Sequence, residues 1–472
     1  MIRTIYISLF LFTGILFSNA ASAVCVYPPN NLPLITAVAD NCSGLNLNAN
    51  QNGSITNNGT INGSLAIQNT NANITTISNN ISGSIIGSTD AINNAPEQII
   101  GSIINNGLIK GLTDPFGAGN GIDNVSGKIT SIHNSLGASI IAETGAAIAN
   151  TGPITEIIND GLISGTTNRG ITNFYGPRSP PWVGNITTIT NNTNGTISGQ
   201  RSAIDNQTLA NISTINNSGN ISGVNDFGID NWSTIGVINN NTNGNISGGK
   251  NGLNVRLGGS INTLTNNGNI DGQSSDGIFL GNENVFGSSI VNLNNLAAGV
   301  ITGRVNGISL ISGGSISGVL LNAGTIHGDV YGIKNLGNIG SINNSGVISG
   351  GTYSIYNLGL ISNGIINSGT ISSLVNAQGG SASLPLSYSG NLPASYYIYI
   401  SSKNNYGQIT ITNPNGVMAF NIAPGSQISR GIYKNIISGI NLSNITGNTG
   451  VYDGISWKLV NKGGSCKTRF LR

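Results

Sequence analysis

From about residue 55 to residue 376 the chain repeats one short phrase. An apolar residue is followed two positions on by Asn, then by Gly, by Ile-x-Gly, by a variable stretch, and by Gly-Ile-x-Asn. Three copies show it: ITTITNNTNGTISGQRSAIDN from Ile186, ISTINNSGNISGVNDFGIDN from Ile212 and INTLTNNGNIDGQSSDGIFL from Ile261. The apolar residue ahead of x-Asn falls at Ile55, Ile77, Ile103, Ile132, Ile157, Ile189, Ile215, Val237, Leu264, Leu293, Leu320, Ile342 and Ile365. Their mean spacing is about 26 residues, within the range of solenoid repeats.

Each period holds three short runs of alternating, β-branched residues bounded by Gly or Asn, as in ISTIN, GNISG and GIDN. Such runs predict strands. Three strands per period with tight corners make one triangular coil, and stacked coils put each strand beside its copy about 4.8 Å away. The sequence therefore predicts an all-β, right-handed, single-stranded parallel β-helix of about 13 coils over residues 55–376. A propeller blade would need a period of about 40 residues or more. Inward Ile fills the core, each fully buried one contributing about 1.5–3 kcal/mol. Asn shares the inward face, and identical amides above and below satisfy its polar groups. Asn206 and Asn231 are one expected rung of such a ladder.

Composition removes the other fold classes. Only 7% of residues are charged and 38% are hydrophobic, with 69 Gly among 472 residues. The alphabet of helices (Ala, Leu, Glu, Lys, Arg) is scarce, and a net charge of +2 excludes disorder by charge excess. The basic residues stand singly along the body, with no footprint for nucleic acid. Residues 1–23 read as a secretory leader, with Arg3, an apolar run from Ile7 to Phe17, and Ala21-Ser22-Ala23 before the expected mature start at Val24. No later segment reaches transmembrane length. In an oxidising destination Cys25 and Cys42 are expected to pair within an N-terminal cap, residues 24–54. Cys466 has no evident mate.

Residues 384–461 depart from the repeat. Tyr and Pro rise, and longer strands appear at YYIYISS, QITITN and ISWKLV. This reads as a C-terminal β module that caps the open strand edges of the last coil. A basic, atypical tail, residues 462–472, follows it. An exported Ile/Asn/Gly/Thr-rich β-helix, then NYGQITITNPNG and a late Gly-x-x-Trp-x-Leu-Val (Gly454 to Val460), resembles the passenger of a bacterial autotransporter of type V secretion. The resemblance covers nearly the whole mature chain. It implies export, passage across the outer membrane and display at the cell surface or release from it, often in adhesion or aggregation. It also implies a C-terminal translocator barrel. No series of ten-residue alternating strands follows Val460 here, so the reading is of a truncated passenger or a stand-alone secreted protein.

The expected function is non-enzymatic adhesion or self-association through an uncharged surface, with a host or neighbouring cell, a glycan or a second copy as partner. No cofactor or metal is expected. The alternative is a polysaccharide lyase or hydrolase, because β-helices host such enzymes. Its candidate residues are Asp205, Asp230, Asp226 and Arg201. Asp205 and Asp230 share one slot in consecutive coils, which sets their carboxylates about 5 Å apart, a spacing for an acid and a nucleophile or for calcium. That slot is expected to face solvent, since it holds Thr172, Asn254, Phe279, Ser309, Lys334 and Tyr356 elsewhere. A flat Thr-bearing face could also order ice, but the outward slots do not repeat Thr-x-Thr. His133 and His327 have no catalytic partner at motif spacing. The binding candidates lie in an insertion, TTNRGITNFYGPRSPPWVG from Thr166, which gathers Phe174, Tyr175, Arg178 and Trp182 in an aromatic-poor coil. Loops leaving a rigid scaffold concentrate binding residues, and aromatic rings with Arg are usual anchors.

Overall fold

A computed structural model describes residues 34–38, 42–47, 53–113, 119–176, 182–281, 287–462 and 465–470. The expected leader, Cys25 and Arg178 lie outside the described residues. Among the described residues the only helical element is one 3-10 turn, Leu442–Asn444. All else that is regular is strand, wound into a parallel solenoid of about 15 turns.

One coil illustrates all. Asn211–Asn217, Asn220–Gly223 and Ile229–Asn231 follow one another around the axis. Each lies parallel and in register between its copies: Asn185–Asn191 and Thr234–Asn240, Thr196–Gly199 and Asn245–Gly248, Ile204–Asn206 and Leu253–Val255. Ile212, Ile215, Ile221 and Ile229 are completely buried, so each coil adds four aliphatic side chains to four continuous columns. The seven-residue strand is not strictly alternating. Ser213 and Thr214 both face outward between inward Ile212 and Ile215, and Ser213 pairs with neither neighbour. The same unpaired residue recurs coil after coil, at Thr130, Thr155 and Thr187, on both strands of each pair, so the register is kept while strict alternation is broken. One marker shifts in consequence: Ile238, not Val237, stacks on Ile215, because Val237 pairs with outward Thr214.

Two columns of Asn complete the core. In the first, Nδ2 of each residue donates to Oδ1 of the next toward the C-terminus, from Asn57 through Asn79, Asn105, Asn134, Asn159, Asn191, Asn217, Asn240, Asn266, Asn295, Asn322 and Asn344 to Asn367, at 2.7–2.9 Å. The spare Nδ2 hydrogen meets a backbone carbonyl, as from Asn159 to Thr196 at 3.1 Å. At the corner beside Asn191 a side chain has no room: a Cβ on Gly195 would lie 2.4 Å from Asn191 Oδ1 and 2.3 Å from the Asn159 carbonyl, although the matching corner beside Asn134 holds Ala138. The second column runs from Asn69 through Asn94, Asn124, Asn150 and Asn173 to the Asn206–Asn231 rung at 2.9 Å. Val255, Leu280 and Leu310 then take the slot, and Asn335, Asn357 and Asn376 resume it.

The stack runs past residue 376, where the sequence phrase ends. Leu386–Asn391 and Ile409–Asn415 continue one sheet; Ser395–Ile398 and Met418–Ile422 continue another. Leu34–Val38 likewise stacks on Gly53–Asn57, and Cys42–Leu47 on Thr60–Asn69, with Cys42 buried. These added turns raise the count above the 13 that the x-Asn marker reveals. In the C-terminal turns Tyr388, Tyr396 and Phe420 replace aliphatic residues in the core. Tyr388 and Tyr396 stand in Ile and Leu columns, over Ile365 and Leu374, and their hydroxyls accept from the last Asn of each ladder, Asn367 at 3.0 Å and Asn376 at 3.4 Å. Antiparallel pairing then closes the end. Thr449–Tyr452 and Ile455–Lys462 form a hairpin, and Ser465–Phe470, the strand that carries Cys466, pairs with both Ile455–Lys462 and Gly431–Ser438. Within the basic tail, Ser465–Phe470 is thus part of the closing sheet.

Candidate functional site

The middle residue of each Ile-x-Asn points away from the core and forms a column along the molecule: Asn93, Asp123, Ala149, Thr172, Asp205, Asp230, Asn254, Phe279, Ser309, Lys334 and Tyr356. Asp205 and Asp230 are register neighbours, as their slot requires. Their expected exposure is corrected: Asp205 is 0% and Asp230 3% accessible. The cause is the residue two positions on. Period-two alternation returns it to the same face, so Gln207 lies over Asp205, while Trp232 and Arg256 close over Asp230.

Each carboxylate has its own cation. Arg169 Nε lies 2.5 Å from Asp205 Oδ2, to which Gln207 also donates at 2.9 Å. Arg256 grips Asp230 with two bonds, Nη2 to Oδ2 at 2.7 Å and Nε to Oδ1 at 3.1 Å, and Asn254 donates to Oδ1 at 2.7 Å. The Arg256 guanidinium is sandwiched by rings, 4.4 Å from Trp232 and 5.2 Å from Phe227. Asp226 stands apart on an exposed turn, 2.7 Å from Lys250 and 3.6 Å from Arg201. Burial raises the Asp205 pKa against the opposing pull of Arg169, and the Asp230 charge adds to the rise. At Asp226 burial is outweighed by Lys250 and Arg201, which hold the carboxyl below its usual range. The four candidates therefore form three separate ion pairs rather than one open cluster. Two covered, cation-bound carboxylates clamp consecutive coils together. Among the described residues no three His, Cys, Asp or Glu gather as metal ligands.

The insertion forms a two-stranded antiparallel ribbon, with Tyr175 opposite Val183 and Gly176 opposite Trp182. Phe174 sits at its root. Its N–H donates to the Asn150 carbonyl at 2.9 Å and its carbonyl accepts from Gly184 at 3.0 Å, which pins the backbone on both sides. Beside it a cleft of about 290 Å³ opens over Ala149 and Thr172, walled by Asn120, Asp123, Asn168, Arg169, Phe174 and Gln207. Burial and the nearby Asp90 carboxylate push Asp123 up to about 7. Among the described side chains of the insertion, Phe174 and Arg169 line this cleft; Asp123 and Gln207 were not foreseen. The +2 alternation from the Ile-x-Asn slot is the signal that finds Phe174 and Gln207.

Aromatic rings and the two histidines make further contacts between coils. Near the C-terminal end Tyr331 and Tyr356 stack with ring centroids 4.7 Å apart, and Tyr353 stacks on both and meets Tyr397 edge-on. His133 Nε2 lies 3.0 Å from Asp160 Oδ2 and His327 Nδ1 2.9 Å from Ser349 Oγ, each a contact between adjacent coils. No model of a known protein family and no curated protein matches the chain.

Proposed function

We propose that the chain is an exported, structural, adhesin-like protein of the autotransporter passenger type, acting by adhesion or self-association through its uncharged solenoid surface. The observation that carries this reading is the order of the outward side chains. Asn245 donates to Asn220 at 2.8 Å and Asn269 to Asn245 at 2.9 Å; Ser198 meets Ser164 at 2.9 Å and Ser247 meets Ser222 at 3.2 Å. Amides and hydroxyls are thereby held in ranks at the coil spacing. A rigid polar array lowers the ordering cost of contact, and few charges take part.

Attachment should accordingly resist salt, because screening weakens only charge-borne contact. Beads coated with the full chain, tested for cell attachment and mutual aggregation at low and molar salt, measure this. Persistence supports the reading; absence of both activities, or loss of both in salt, overturns it. Export is tested by recovering the chain at the cell surface or in the medium with Val24 as its first residue. The Cys25–Cys42 bond belongs to the same reading and is checked by the mass of the corresponding peptide pair without reductant. No helix among the described residues is long and apolar enough to cross a membrane.

A further inference from the structure

We propose that the cleft over Ala149 is a binding subsite for one uncharged pyranose ring of a glycan. The inference deepens the adhesive reading and rests on it only for where the glycan is met. Its depth has a plain cause. Ala149 is the smallest side chain in the outward column, set between Asp123 and Thr172, and Asn120, Gly145 and Asn168 line the cleft beside it. The volume, about 290 Å³, accommodates one sugar ring and not an extended chain.

The lining fits that ligand in three ways. Phe174 supplies an apolar wall, fixed by the backbone bonds at the root of the ribbon, for the C–H face of a ring. The polar groups are held in place by neighbours yet keep unused capacity. Arg169 uses Nε for Asp205 and Nη1 for Asn168, which leaves Nη2 committed to neither. Gln207 uses Nε2 for Asp205, which leaves Oε1 out of that bond; Asn168 donates from Nδ2 to the Thr144 carbonyl at 3.2 Å. A donor fork, planar amides and the Asp123 carboxyl suit vicinal hydroxyls, which both donate and accept. Finally, the charges are muted. The Arg169 guanidinium is balanced by Asp205, and burial beside Asp90 favours the neutral form of Asp123, so an uncharged, hydroxyl-bearing ring is favoured over an ion.

The test uses the full chain and methyl pyranosides of glucose, galactose, mannose and N-acetylglucosamine, observed by saturation-transfer NMR. At least one should bind in the millimolar range or tighter. Ala149→Phe should abolish that binding by filling the floor, and the column already accepts Phe at Phe279. Phe174→Ala should weaken it by roughly tenfold. An unchanged melting temperature confirms that both variants fold. Failure of every pyranoside to bind, or binding that survives Ala149→Phe, overturns the subsite. Cell attachment is scored separately. Sugar binding without attachment leaves the subsite standing and counts against adhesion; attachment without sugar binding does the reverse.

Discussion

At the scale of single residues, the inward Asn is the unusual choice, and its cost depends on its neighbours. Asn191 accepts from Asn159 and donates to Asn217, so Asn191→Val breaks two buried rungs. Asn231 accepts from Asn206 but meets Val255 on its other side, so Asn231→Val breaks one. Both amides also bond backbone groups at their corners, so the two losses share that part, and we expect Asn191→Val to cost about 1 kcal/mol more than Asn231→Val, read from urea midpoints. Asp123 carries the pH prediction. Its folded pKa, about 7, lies above the ordinary carboxyl value of 3.8. The folded chain thus holds a proton that the unfolded chain has released, and stability falls as pH rises between those two values. Asp205 and Asp276 are raised too and act in the same direction. Melting should occur at lower temperature at about pH 8 than at about pH 5. Asp123→Asn should flatten that slope, removing at most about 4 kcal/mol of it. The Asn ladder was legible because it repeats at fixed spacing. The Arg169 and Arg256 clamps were not, because each occurs once and its partner sits a coil away.

At the scale of elements, the strand inventory was readable and the break in alternation was not. Ile-Ser-Thr-Ile-Asn looks like alternation until the ladder fixes both Ile212 and Ile215 inward, which leaves two outward residues between them. That break sets Val237 outward and its neighbour Ile238 in the column of Ile215. It also sharpens a test of facing. Ile215→Asp places a charge in a fully buried column and should cost several kcal/mol, whereas Ser213→Asp adds one to an outward, unpaired position and should cost almost nothing. Equal shifts in melting temperature would refute the assigned faces. The ribbon at Tyr175 was foreseen as an irregularity, since Pro and aromatic residues break the phrase. Its contribution to a cleft was not, because the opposite wall comes from turns up to two coils away, at Asn120 and Gly145.

At the scale of the whole molecule, the coils make a stack roughly 70 Å long from 15 turns at the strand spacing. Each turn pairs mainly with the turns above and below, so stability is close to a sum over neighbours. Removing one complete coil should then be tolerated if register is kept. Ile74 stacks on Ile100 and Ile77 on Ile103. Deleting residues 74–99 brings Ile100 and Ile103 into the vacated columns, and the melting temperature should fall by no more than about 5 °C. Deleting 74–98 puts Ser102 in the column of Ile77 and Ile103 outside, and should lower it much further. Calorimetry of the two deletions separates these outcomes. The repeat foretold this architecture but not its length, because the outermost turns keep the winding without the phrase that announces it.

In the Asn columns every amide is oriented alike, so one column holds a single orientation choice for its whole run, as compass needles in a row share one heading. A second copy laid end to end could in principle inherit that heading and lengthen without limit. The phenols of Tyr388 and Tyr396 act as full stops: each takes the last hydrogen and offers no carboxamide to pass it on. A fibre-forming grammar is thereby written into a protein of finite length.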